Sequence, residues 1–218
     1  MRTDLLPIFG VLCAVASAAT VAVPFEPAKP HNVKAEAITY KGKSGVRVTG
    51  TTAGGDGEQF LILPGAQFQN GAIDVEVTGE PEANAGAGAR GFVGVAFRIA
   101  ADASKYECFY LRPTNGRADD QVRRNHSIQY ISFPEFPWQR LRKETPEMYE
   151  SYVDLVPGDW TKIKIEVRGA KARLFVNGAT QPALIVNDLK HGDSKGAIAL
   201  WIGPGTVAHF ANLRLTAE

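Results

Sequence analysis

The sequence predicts an all-β protein, a two-sheet antiparallel jelly-roll sandwich in a single domain. Three observations predict it. Short apolar–polar alternations recur along the chain from residue 33 to residue 215. Two strong hairpin signals, Gly169-Ala170 and Asn177-Gly178, stand in the C-terminal third. No amphipathic helical pattern runs beyond two turns, and 22 Gly with 13 Pro punctuate the chain. With 218 residues, one generous β domain accounts for the whole length. Lys and Arg total 24 against 23 Asp and Glu, a net charge of +1. That balance gives no long-range pull toward nucleic acid or an anionic membrane.

Residues 1–18 read as a secretory signal. Arg2 precedes the uncharged run Leu5 to Val23, whose centre, Ile8 to Val15, is apolar, and Ala16-Ser17-Ala18 has the small-x-small form of a cleavage site. The competing reading is a membrane anchor, which Pro7, Gly10 and the many alanines weaken. Export predicts a secreted or periplasmic protein with no membrane attachment after cleavage. Residues 19–30 read as a linker and 31–218 as the domain. Cleavage removes Cys13 and leaves Cys108 alone, in an apolar strand pattern that suits a buried structural thiol.

The strands follow in order. Val33 to Tyr40 ends at the Lys41-Gly42 turn, and Val46 to Val48, Phe60 to Leu63 and Ala72 to Val77 come next. In Phe92 to Ile99 the residues Val93, Val95, Phe97 and Ile99 share one face, with Arg98 on the other. Tyr106 to Leu111 and Ser127 to Ile131 continue the set, while Gln139 to Tyr152, interrupted by Pro146, allows at most two short helical turns. Trp160 to Arg168 alternates Ile163, Ile165 and Val167 with charged residues, and Ala172 to Val176 returns after the Gly169-Ala170 turn. Ala183 to Val186, Ala197 to Ile202 and Val207 to Leu215 complete about twelve strands. Ala197 to Ile202 is apolar on both faces and should be a central, doubly covered strand.

The run Gly158 to Gly178, with Lys195 to Gly203 and Phe210 to Leu215, resembles a recurring block of concanavalin A-like jelly rolls. It is similar to laminin-G-like domains and, more closely, to the secreted bacterial 3-keto-disaccharide hydrolase-like family grouped loosely with family 16 glycoside hydrolases. The resemblance implies the fold and a saccharide substrate. Family 16 glucanases carry Glu-x-Asp-x-x-Glu on one strand. Here Asp74 and Glu76 are the nearest pair, and position 72 is Ala. That two-carboxylate mechanism is therefore not carried over.

The candidate site lies between Tyr110 and Trp138. Pro113 to Asn125 is a long connection for a compact sandwich; such loops are usually functional or disordered, and the aromatic neighbours here argue against disorder. Tyr106, Tyr110 and Arg112 share one strand face, an arrangement that would offer aromatic planes to a sugar ring and donors to its hydroxyls. Arg98, Arg117, Arg123, Arg124, Tyr130 and Trp138 are the further candidates for saccharide contact. Asp120 and His126 are the acid/base candidates, with Asp119 beside them. The same charges could instead form solvated ion pairs. No His or Cys spacing marks a transition-metal site and no cofactor is implied, while a structural Ca2+ held by loop oxygens from Asp119, Asp120 or Asp193 stays open. The reading leans to a saccharide-bond hydrolase, with a lectin-like binding module or a laminin-G-like interaction domain as the alternatives.

Overall fold

The computed structural model describes residues 19–51 and 58–218. The expected signal segment lies outside them. The described chain forms β1 (Thr20–Ala22), β2 (Lys29–His31), β3 (Val33–Tyr40), β4 (Lys43–Gly50), β5 (Phe60–Phe68), β6 (Gly71–Pro81), β7 (Val93–Ile99) and β8 (Tyr106–Leu111). A 3-10 turn (Pro113–Asn115) and the short helix α1 (Gln121–Asn125) precede β9 (Ile128–Phe133). Then come α2 (Trp138–Glu144), β10 (Glu150–Ser151), β11 (Thr161–Arg168), β12 (Lys171–Val176), β13 (Leu184–Val186), β14 (Gly196–Ile202) and β15 (Thr206–Ala217).

These strands make two antiparallel sheets. The first runs β13-β12-β11-β6-β15-β4-β3, with β1 paired to β15; the second runs β10-β9-β8-β7-β14-β5-β2. The stretch expected as a linker thus supplies two short strands. Thr20 to Ala22 pairs with Arg214 to Thr216, and Lys29 to His31 pairs with Phe60 to Ile62.

The pleat explains the core. In the first sheet Ile73, Val75 and Val77 of β6 lie opposite Ile165, Ile163 and Thr161 of β11, and the isoleucines and valines are buried. Their neighbours Asp74, Glu76, Lys162 and Lys164 keep partial or full contact with solvent. In the second sheet Val93 and Val95 face the same way as Leu111 and Phe109, their register partners on β8. This face meets the first sheet: a Cβ placed on Gly79 of β6 would lie 2.8 Å from a Val93 methyl. The other face carries Tyr106, Cys108 and Tyr110 with Trp201, which lies opposite Gly94.

The expected central strand is in place, with β14 between β7 and β5 and nearly every residue buried. The β11–β12 hairpin turns on Gly169, whose φ of 55° opens the left-handed region at the first turn position. Asn177 and Gly178 both adopt positive φ, as a type I′ turn requires. The chain does not pair again until Leu184, so that turn begins a longer connection rather than closing a tight hairpin.

Candidate functional site

Three neighbouring strands deliver their ends to one place. Leu111 of β8 lies opposite Ile128 of β9, and Ser151 of β10 lies opposite Ile128 as well. Arg112 and His126 stand just beyond these pairs, and Glu150, register partner of Gln129, opens β10 beside them. The backbone N–H of Arg112 donates to the Ser127 carbonyl at 2.7 Å, which fixes the start of the connection. The long loop is not irregular. It folds as the 3-10 turn and α1, with Asp120 capping α1 by accepting from the Arg123 N–H at 3.0 Å.

The centre of the cluster is Glu150. Its carboxylate is buried, and Arg142 grips both oxygens, Nε to Oε1 at 2.9 Å and Nη2 to Oε2 at 2.6 Å. Arg112 Nη1 stands 3.6 Å from Oε2, and His126 Nε2 stands 3.2 Å from Oε1. Arg112 is itself held by donating to the Tyr110 hydroxyl (2.8 Å) and the His126 carbonyl (3.2 Å); Asn115 Nδ2 donates to that same carbonyl at 3.1 Å. Trp138 and Arg142, one helical turn apart on α2, stack together, with the Arg142 guanidinium 4.7 Å from the indole centroid and that of Arg112 at 5.7 Å.

This cluster borders a cavity of about 580 Å³. Arg90, Arg112, Arg123, Arg142, His126, Asn115, Phe92 and Trp138 line it, and Gly86, Gly88, Ala89, Pro204 and Gly205 form the small-residue part of its wall. Beside it, Tyr110, Trp201, Ile131 and Phe133 bound an apolar recess of about 80 Å³, which shares Phe92, Trp138 and Pro204 with the larger space.

Burial is the largest influence on the His126 imidazole and lowers its pKa, with the Arg142 and Arg112 charges acting the same way. Glu150 and, more weakly, Asp120 oppose them and lose. His126 is therefore neutral near pH 7. A neutral ring whose Nε2 faces the Glu150 carboxylate at 3.2 Å is favoured with its proton on Nε2, and that tautomer has its lone pair on Nδ1. Burial also raises the Tyr110 phenol to about 12, against the pull of Arg112.

The residues named from sequence divide among different places. Arg112, Arg123, His126 and Trp138 meet at the cavity, and Tyr110 lines the recess beside it. Tyr106 shares the Tyr110 face yet is fully buried, stacked on Phe133 at 5.1 Å. Tyr130 lies on the opposite face, register partner of Phe109, and donates to the buried Glu107 carboxylate at 2.6 Å. Arg98 is buried away from the cavity and donates to the carbonyls of Gln69, Gly169 and Gly192. Arg117 pairs with Asp154 in solvent, and Arg124 rests on the exposed Tyr152 ring. Asp119 and Asp120 are exposed and outside the cavity wall.

Sequence reasoning missed Glu150, Arg142, Arg90 and Phe92. In the sequence Glu150 stands with Arg140, Arg142, Lys143, Glu144 and Glu147 in a mixed-charge stretch, a pattern that reads as a solvated face. Its signal was the company it keeps, with Tyr149 before it and Tyr152-Val153 after it. Among the described residues no group of three or more His, Cys, Asp or Glu side chains gathers as a metal site would require.

Comparison with known proteins fits the geometry. The carbohydrate-binding module CBM66 from Bacillus subtilis shares the fold with a TM-score of 0.59 at 13% identity, covering 87% of this chain and 95% of that one. A Bacillus subtilis protein of unknown function with a galectin-like fold gives a TM-score of 0.57 at 11% identity, covering 88% and 90%. At these identities the likeness is one of fold, the two-sheet jelly roll. No curated protein matches the chain. Residues 25–216, which take in every residue of the cavity and all the strands but β1 and the last residue of β15, match the family described as the 3-keto-alpha-glucoside-1,2-lyase-like domain, and the chain belongs to that family.

Proposed function

We propose that this protein cleaves a 3-keto-glycoside in the Arg112–His126–Trp138 cavity by elimination across C1 and C2 of the sugar. The observation that carries the reading is a neutral imidazole, His126, held against the buried Glu150 carboxylate on the wall of a sugar-sized space. Family membership supports the substrate class. The chemistry follows from the ketone. The C2 hydrogen is acidified by the carbonyl at C3, and the His126 lone pair removes it. The electron pair passes into an enediolate, whose oxygen faces guanidinium donors such as Arg112. Return of that pair forms the C1–C2 double bond, breaks the C1–O bond and restores the C3 ketone, and the departing oxygen takes up a proton. Trp138 and Phe92 offer flat apolar surface to the ring's C–H faces. The setting we propose is outside the cytoplasm, supported by the export pattern of residues 1–18.

A second reading, a saccharide-binding module, is favoured by one feature. Glu150 is saturated by Arg142 and Arg112, so among the described residues no free carboxylate touches the cavity to serve a two-carboxylate hydrolysis. The test separates the two. Purified protein is mixed with 3-keto-glucosides of both anomers, and the conjugated enone is followed by ultraviolet absorbance. The elimination reading expects turnover that falls by at least about a hundredfold in His126→Gln, with saccharide binding retained. Binding without turnover in the native protein would establish the module instead.

A further inference from the structure

Four guanidiniums stand on the wall of the cavity, and one buried carboxylate answers them. Glu150 satisfies Arg142 and Arg112, leaving Arg90 and Arg123. Arg90 donates Nη1 only to the carbonyls of Ala87 (2.6 Å) and Ala89 (2.8 Å), which carry no net charge. Arg123 reaches Asn115 Oδ1 at 3.5 Å, and its Nε is buried with no hydrogen-bond partner among the described residues. Neither meets a carboxylate among the described residues. Asp120, the other acid whose charge acts on His126, is exposed and committed to capping α1. Burial and the neighbouring Arg123 and Arg112 charges depress the Arg90 guanidinium, with no acid opposing them. Like charges gathered in a partly desolvated wall without a counter-ion cost stability unless something else uses them. A buried guanidinium N–H without an acceptor costs more still.

We infer that the saccharide taken by this cavity carries an oxyanion, a carboxylate, phosphate or sulfate, and that Arg90 and Arg123 hold it. The inference deepens the proposed function and rests on its choice of cavity. The Trp138 and Phe92 side of the space takes the sugar ring, and the Arg90 and Arg123 side takes the charged substituent. A guanidinium fork suits all three oxyanions, since each presents two oxygens to paired N–H donors.

The test is isothermal titration calorimetry on the full chain. Methyl glucoside, methyl glucuronide, methyl glucoside 6-phosphate and methyl glucoside 6-sulfate are compared in both anomers at low and high salt. At least one anionic sugar should bind at least about tenfold tighter than the neutral glucoside, with the margin shrinking at high salt. The anion that leads identifies the source of the charge. Arg90→Gln and Arg123→Gln should each cut the margin to about threefold or less, and Arg117→Gln, an exposed control, should leave it intact. Equal affinity for neutral and anionic sugars overturns the inference, as does a preference that survives both cavity variants. Loss of keto-glucoside turnover in Arg90→Gln without any anion preference also overturns it, since the charge would then serve only the reaction. Anion-selective binding without keto-sugar turnover would sink the elimination chemistry and leave this inference standing.

Discussion

His126 Nε2 lies 3.2 Å from Glu150 Oε1, and the same carboxylate is gripped through both oxygens by Arg142. The histidine therefore shares its partner with a permanent cation. This arrangement orients the ring without charging it, because burial and the two arginines outweigh the carboxylate. Removing the carboxylate should make the ring harder still to protonate. In Glu150→Gln the arginines act on His126 with only Asp120 to oppose them, so its pKa should fall further below the ordinary histidine value. Ring-proton NMR titration reads this directly, and a rise on substitution would contradict the electrostatic account. The same variant leaves two guanidiniums without their counter-ion and should cost at least about 2 kcal/mol in urea denaturation.

Arg98 makes a separate prediction. Its side chain is fully buried, and beyond the three loop carbonyls it reaches Asn70 Oδ1 at 3.3 Å and Asp193 Oδ1 at 3.2 Å. One guanidinium thus ties together the turns at residues 69–70, 169 and 192–193. Arg98→Met keeps much of the hydrocarbon stem and removes every donor. It should destabilise the protein by about 3 kcal/mol or more by denaturation and leave saccharide affinity unchanged by calorimetry. A loss of affinity in folded Arg98→Met protein would return this residue to the binding site.

His209 sets an acid limit. It is buried, stacked on Tyr40 at 3.8 Å and hydrogen-bonded through Nδ1 to the Thr78 hydroxyl at 3.0 Å. Burial and the Arg47 charge push its pKa down to about 4, against the weaker pull of Glu36. The unfolded chain takes up this proton near pH 6.5, whereas the folded one resists it until about pH 4. Stability is therefore whole above pH 6.5 and drains away as pH falls through that window. Between pH 7 and pH 5 the native protein should lose about 2 kcal/mol that a His209→Gln variant does not, as measured by paired urea titrations. Parallel pH slopes in the two proteins would refute it.

The fold was legible because period and turn chemistry are local. The double-sided apolarity of Ala197 to Ile202 could only suit a strand covered on both faces, and β14 is central. Gly169 followed by Ala170 could only suit a left-handed first turn position. The face shared by Tyr106, Tyr110 and Arg112 was also readable, since it follows from a period of two. What covers a face is a tertiary matter. Phe133 folds over Tyr106 from the next strand and seals its phenol, while Tyr110 keeps a place on the recess wall and Arg112, one residue past the strand end, stays at the cavity. Tyr130 went to the interlayer face because its register against Phe109, not its own surroundings in sequence, sets its direction. Glu150 was hidden for the same reason. Its partners Arg142, Arg112 and His126 come from elsewhere in the chain, and the flanking Tyr149 and Tyr152 hint at burial without naming them.

The small-residue part of the cavity wall separates two demands that a folded binding site often sets in conflict. A Cβ on Gly86 or Gly88 would meet nothing within 4 Å. Side chains of graded size can therefore be grown there, narrowing the cavity step by step with no clash against the rest of the chain. Natural or laboratory evolution could retune which molecules enter this protein at two positions that the folding of the chain leaves almost entirely free.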